Sequence, residues 1–187
     1  MRIVIVSFLL LLTACSSKPV VDTHFYLLRD SGEVPATRAL SPSSEYALGN
    51  VSIAPYIDQS GLTLKLTSGE IRPAQYHQWA EPMHKSVRNF LQQQISLALG
   101  NDLFPAALSE APVQVEIRVD QLHGTQDGEA VILAYWWLKQ GGTILESYQF
   151  GDKLALSESG YEALADTLRA LLKNLATHIA TTLKGNE

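Results

Sequence analysis

The sequence predicts an α+β domain: an antiparallel or mixed sheet ending in a three-strand meander, with two amphipathic helices packed on one face. Three patterns lead to it. Apolar residues recur at helical spacing after Pro82 and again after Tyr161; strict alternation marks residues 113–119; and Asp127-Gly128 and Gly141-Gly142 punctuate the chain that follows.

The elements follow in order. Residues 24–28 read as a first strand, and residues 30–49, rich in Ser, Pro, Gly and Ala, as a long loop, either spacer or docking surface. Val51 and Ile53 belong to a strand that Pro55-Tyr56 ends near a sheet edge, because proline cannot donate to a central ladder. Leu62, Leu64 and Leu66 alternate with Thr63 and Lys65, and Ser68-Gly69 turns this strand into residues 70–76, a hairpin.

Glu81-Pro82 opens the first helix, since the missing proline N–H is no loss in a first turn. Met83, Val87, Phe90, Leu91, Ile95, Ala98 and Leu99 form its apolar stripe, and Gly100-Asn101 stops it. Val113, Val115, Ile117 and Val119 then alternate with Gln114, Glu116, Arg118 and Asp120, a half-buried strand. The two glycine turns divide the following chain into strands over residues 130–139 and 143–150. Ser159 and Glu162 have the spacing of a capping box at the start of the last helix, whose buried face runs from Tyr161 and Leu164 to Ile179.

The strand over residues 130–139 is apolar on both faces. Val131, Leu133, Tyr135 and Trp137 carry the more continuous bulk, so they are assigned to the helices, with Trp137 in the core. Ile132, Ala134, Trp136 and Leu138 then face away, with Trp136 at a rim or subunit contact; burial of Trp136 by the early strands of the same monomer is the alternative. Trp79 is expected to cap the core beneath the first helix, with partner contact as the other reading. Tyr56 has the same two readings, a turn residue at an edge or a docking residue.

Before this domain the chain has a different character. A basic Arg2 precedes a run from Ile3 to Leu12 that is apolar but for Ser7. As a helix the run spans only about 15 Å, half of a hydrocarbon layer of roughly 30 Å, so it reads as a secretory signal and not as a membrane span. Leu12-Thr13-Ala14-Cys15 resembles a bacterial lipobox, in which the cysteine thiol becomes a diacylglyceryl thioether, the chain is cut before it, and the new amine is acylated. On this reading residues 1–14 are a lipoprotein signal peptide, residues 15–23 an acylated Cys15 and short tether, and residues 24–187 a single periplasmic domain. An ordinary signal peptide that happens to contain a cysteine is the alternative. Ser16 in place of Asp after the cysteine implies, by resemblance to enterobacterial lipoproteins, delivery to the outer membrane.

Charge narrows the partners. Without Arg2 the mature chain carries 13 basic and 19 acidic residues, net −6. An acidic surface without a basic stripe argues against nucleic acid and against peripheral binding to anionic lipid, so the covalent anchor has to supply membrane attachment. Residues 16–23 reach at most about 26–29 Å, which keeps the domain close to its membrane.

Chemistry is sparse. Of the histidines, His24, His77, His84, His123 and His178, none lies in an HExxH pattern, and the only cysteine is Cys15, so neither a zinc site nor a thiol nucleophile is expected. No GxSxG elbow activates a serine, and Glu81 is explained as favourable negative charge at a helix start. No enzyme activity and no cofactor beyond the acyl chains of Cys15 are expected.

The lipobox, His24-Phe-Tyr-Leu-Leu28, Val51-Ser-Ile-Ala-Pro-Tyr-Ile-Asp58, Gln78-Trp-Ala-Glu-Pro-Met83 at a helix start, and Leu122-His-Gly-Thr-Gln-Asp-Gly-Glu129 before a Trp-containing strand together resemble the PqiC/YmbA family of auxiliary lipoproteins. The resemblance implies a non-catalytic, homo-oligomeric lipoprotein on the periplasmic face of the outer membrane, docking a periplasm-spanning MCE-type protein of an intermembrane lipid transport system. A lipoprotein that itself carries lipid between helices and sheet is the alternative function, and an envelope enzyme a more distant one.

Overall fold

The computed structural model describes residues 21–29 and 37–185. The signal peptide, Cys15 and most of the tether lie outside the described residues. Seven strands and two long helices follow one another as β1 (His24–Tyr26), β2 (Tyr46–Ile53), β3 (Gly61–Lys65), β4 (Ile71–Trp79), α1 (Met83–Leu99), β5 (Val113–Thr125), β6 (Glu129–Gln140), β7 (Thr143–Ala155) and α2 (Tyr161–Gly185), with one 3-10 turn at Ala106–Leu108. The α+β class holds. All strands form one mixed sheet in the order β1-β4-β3-β5-β6-β7, and β2 also pairs with β5, on the side that β3 occupies further along.

The meander β5-β6-β7 is the backbone of this sheet, with long antiparallel ladders on both sides of β6. Gly128 and Gly141 at its turns have φ of +75° and +53°, a region that L side chains avoid. The expected hairpin is also present: β3 and β4 are antiparallel, joined through Gly69 at φ +87°. The three parallel pairings, β1 on β4, β2 on β5 and β3 on β5, each join segments far apart in sequence.

α1 begins one residue after Pro82 and stops at Gly100, whose left-handed backbone at φ +85° returns its N–H to Ser96 O at 2.9 Å. The N-terminus of α1 lacks a side-chain cap from its own Ncap residue; Asp58, in the turn after β2, supplies one from a distance by accepting the His84 N–H at 3.2 Å. α2 lies across the meander and against α1. Its Leu164, Leu168, Leu171, Leu172, Leu175 and Ile179 are buried with Val87, Leu91 and Ile95 of α1 and Val115, Ile117 and Val119 of β5. No helix among the described residues is long and apolar enough to cross a membrane.

Three expectations are corrected. β2 starts at Tyr46, inside the segment expected to be loop, and Tyr46, Ala47 and Leu48 are buried. Their parallel partners, Val113 to Val115, lie more than sixty residues on, so no local pattern announces the strand. The start of α2 is taken by Gly160, at φ +129°, whose carbonyl accepts the Leu164 N–H at 3.1 Å, so Ser159 stands one position too early for the expected capping box.

The largest correction concerns β6. Ala130, Ile132, Ala134, Trp136 and Leu138 face the helices and are buried, while Val131, Leu133, Tyr135 and Trp137 are half-buried on the opposite face. The cause is a β-bulge in β5. Near the turn, Gly124 opposes Ala130 and Leu122 opposes Ile132; continued unchanged, that register would set Ile117 against Trp137. Asp120 is an extra residue between Val119 and Gln121, and it shifts the ladder so that Ile117 opposes Trp136 and Glu116 opposes Trp137. Arg118 holds the bulged residue by donating to Asp120 Oδ1 at 2.6 and 3.1 Å.

Candidate interaction surface

Alternation along β5 and β6 builds two very different sheet faces. On the helix side, Trp136 is fully buried, stacked on Tyr148 at 4.1 Å between ring centroids and edge-on to His178 at 6.0 Å. Trp136 is therefore a core residue and not the rim or subunit contact expected of it. Trp79 is likewise buried with Met83 at the start of α1, in keeping with the core-cap reading and against partner contact.

Tyr56 has a structural task as well. Along one edge of β5 the pairing with β2 ends at Val119 and that with β3 begins at Gly124. Tyr56 fills this gap: its hydroxyl accepts the Leu122 N–H at 3.2 Å, beside the bulge. Half-burial pushes its hydroxyl above the usual tyrosine range, so at neutral pH it stays protonated. Of the three aromatic residues singled out in the sequence, Trp79 and Trp136 are buried, and Tyr56 is partly exposed with its hydroxyl engaged.

The face opposite the helices does. Val131, Leu133, Tyr135 and Trp137 line up there as a half-exposed apolar stripe. β5 borders it with Glu116, Arg118 and Gln121, and β7 with Ser147, Gln149, Gly151 and Lys153. The polar border orients the rings: Glu116 accepts from Trp137 Nε1 at 2.9 Å and from Lys139 Nζ at 3.4 Å, and the Arg118 guanidinium lies 5.8 Å from the centre of the Tyr135 ring. Gly151 opposes Leu133, so no side chain screens that residue from β7.

β7 ends the sheet. Its outer edge has no strand partner among the described residues, and Ile144 and Leu145 near its start are 56% and 49% exposed. An edge of thirteen residues beside an apolar stripe is the arrangement that sheet proteins otherwise shorten or cover.

Sites with the look of chemistry resolve into structural roles. A cleft of about 450 Å³ at the start of α1 is lined by Asp58, Ser60, Trp79, Glu81 and His84. Within it His84 Nδ1 lies 2.9 and 3.0 Å from the two Asp58 oxygens, an acid–histidine pair, and this bond holds the Asp58 carboxyl below its ordinary range. No serine hydroxyl is hydrogen-bonded to His84 among the described residues; Ser86 Oγ donates instead to Glu81 Oε2 at 3.1 Å. The pair caps α1. No group of three or more His, Cys, Asp or Glu side chains is placed to hold a metal among the described residues.

A second charged site fastens the chain before β2. Arg38 donates to Asp102 through two nitrogens at 2.6 and 2.8 Å, and the Ser41 N–H adds a third bond at 2.7 Å. These bonds lower the Asp102 pKa from 3.8 to about 2. A depressed carboxylate contributes its full stabilisation above 3.8 and loses it as pH falls through about 2. Acid titration is therefore expected to loosen the Ser41 amide in that window, and Asp102→Asn to leave it loose at neutral pH. Amide exchange followed by NMR checks both.

Comparison with known proteins agrees with the architecture. A family model described as "ABC-type transport auxiliary lipoprotein component" matches residues 26–180. A crystallised protein described as uncharacterized superposes with a TM-score of 0.74 at 20% identity, over 87% of this chain and 99% of its own. A DUF330 protein from Xanthomonas campestris superposes with a TM-score of 0.63 at 17% identity, again over 87% of this chain and 99% of its own. Among curated proteins no match is found.

Proposed function

The chain belongs to the family of ABC-type transport auxiliary lipoprotein components, and from that premise we propose that it is a non-catalytic docking component of an MCE-type intermembrane lipid transport system. In this reading Cys15 carries diacylglycerol and an N-acyl chain that anchor the protein in the periplasmic leaflet of the outer membrane. The domain receives the distal end of a periplasm-spanning MCE-type protein, and copies of the chain assemble around it.

The observation that carries the reading is the stripe Val131, Leu133, Tyr135 and Trp137, an apolar surface on an otherwise acidic domain with polar residues along both borders. The position of β7 at the end of the sheet, with no strand beyond it among the described residues and with Ile144 and Leu145 exposed, supports self-assembly.

Crosslinking in whole cells through a photoreactive residue at Gln149, opposite Tyr135 on β7, tests the reading. An MCE-type subunit should be recovered, and Tyr135→Glu should abolish recovery while thermal unfolding moves little, because Tyr135 is partly exposed and the Arg118 guanidinium beside it can pair with the new carboxylate. Recovery of no transporter subunit, with the complex otherwise intact, would sink the docking role. One lipid retained per chain in native mass spectrometry would favour a carrier instead.

A further inference from the structure

β1 is the first described strand, and its two sides are unlike. On one side His24 stacks on His77 at 5.0 Å, Tyr26 donates to or accepts from His77 Nδ1 at 2.8 Å, and His77 stacks in turn on Tyr161 of α2 at 4.3 Å. Arg169 of α2 donates to Leu27 O at 2.9 Å, and Leu28 is buried. Parallel pairing with β4 and these contacts with α2 fix the orientation of the strand. On the other side Phe25 is 64% exposed and Leu27 47%, and Val21 just before the strand is 53% exposed. Large apolar side chains thus point outward from a rigidly held strand at the membrane-proximal end of the chain.

We infer that Val21, Phe25 and Leu27 form a second membrane contact, inserting into the headgroup region of the same bilayer that holds the acylated Cys15. The inference rests on the anchored reading above. Its argument is length: six residues lead from Cys15 to Val21, and fully extended they span at most about 20–22 Å. The acylated sulfur sits at the boundary of headgroups and acyl chains, so this patch stays within reach of the bilayer in every orientation the tether allows. Its size also selects the occupant. Three side chains are far fewer than the roughly 20–30 residues a side of a stable protein interface, whereas interfacial contacts are built from a few Phe or Leu side chains. Arg29, which follows them in the chain with its side chain 69% exposed, pairs with Glu81 at 2.5 Å and so ties the end of this segment to the start of α1.

The contact orients the domain. A tri-acylated chain on a free tether can tumble over the surface, but one with β1 laid on the bilayer holds the sheet at a fixed angle to it.

The test uses the full lipoprotein, purified from membranes and reconstituted into vesicles of phosphatidylethanolamine and phosphatidylglycerol. Phe25→Cys, Leu27→Cys and, as a control outside both proposed surfaces, Leu108→Cys each carry an environment-sensitive fluorophore, the acylated Cys15 being unreactive. Insertion by the roughly 5–10 Å of an interfacial contact brings the fluorophore to lipid-borne nitroxides, so labels at 25 and 27 should shift to the blue and lose most of their emission while the label at 108 does not. Equal quenching at all three positions in protein that floats with the vesicles overturns the second contact and leaves the anchor standing. Labels at 25 and 27 shielded from aqueous iodide yet unquenched by lipid nitroxide would mean that another copy covers the patch, which also overturns it. Protein that fails to float and lacks labelled palmitate removes the anchor, and this inference with it.

Discussion

Trp136→Ala is expected to destabilise the domain by about 3–5 kcal/mol, and Trp137→Ala by clearly less. The difference follows from where the two neighbours point. Trp136 is fully buried between β6 and α2, stacked on Tyr148, so truncation leaves a cavity that the surrounding leucines can fill only in part. Trp137 is half-exposed and tied to the surface through Glu116. Trp136→Phe should recover much of the loss, because the buried indole N–H has no hydrogen-bond acceptor among the described residues and little is forfeited by removing it. Trp136→Glu should not fold, since it places a carboxylate in the apolar core. Chemical denaturation followed by far-UV circular dichroism measures all four. A stable Trp136→Ala protein beside an unfolded Trp137→Ala protein would show the opposite arrangement of faces.

That pair also shows how far the sequence could be read. Period two in residues 130–139 correctly gave a strand with two apolar faces, but alternation carries no sign, and bulk favoured the wrong side. The deciding residue lies on the neighbouring strand. Asp120 reads as one more polar position in the alternation of β5, and nothing local marks it as the residue that the ladder skips. The helices were legible because their apolar stripes and, for α1, the proline start and glycine stop are local signals. Tyr46, Ala47 and Leu48 were hidden because their partners on β5 are remote. The candidate surface failed to show for the same reason as the face of β6: the residues that form it were assigned to the core. The signal that could have found it was the polar half of β5, Gln114, Glu116 and Arg118, which must share a face with something that tolerates water.

On the proposed anchoring, Cys15→Ser is expected to abolish lipid attachment to the membrane. Each buried methylene of an acyl chain contributes about 0.8 kcal/mol, one chain binds only marginally, and three give attachment that is close to permanent. The serine variant can form no thioether, so it should accumulate as an unprocessed or detached chain. The domain itself should stay folded, since every buried apolar residue among the described residues lies at Leu28 or beyond. Metabolic labelling with palmitate, membrane fractionation and limited proteolysis read attachment and folding separately. Label retained by the serine variant would refute acylation at Cys15.

The mixed sheet has a consequence for the order in which the chain can acquire structure. β2 has its strand partner in β5, and the β3-β4 hairpin pairs with β5 at Gly124 and Thr125. A nascent or exported chain that has not yet delivered Val113–Thr125 therefore holds half a sheet with nowhere to lay it, and the apolar helix α1 without the leucines of α2 that cover it. Closing long loops before any contact rewards them is slow, whereas the meander and α2 are adjacent in sequence and can assemble among themselves. The carboxy-terminal half is thus expected to fold first and the amino-terminal strands to dock onto it afterwards, β1 last of all, because its only strand partner among the described residues is β4.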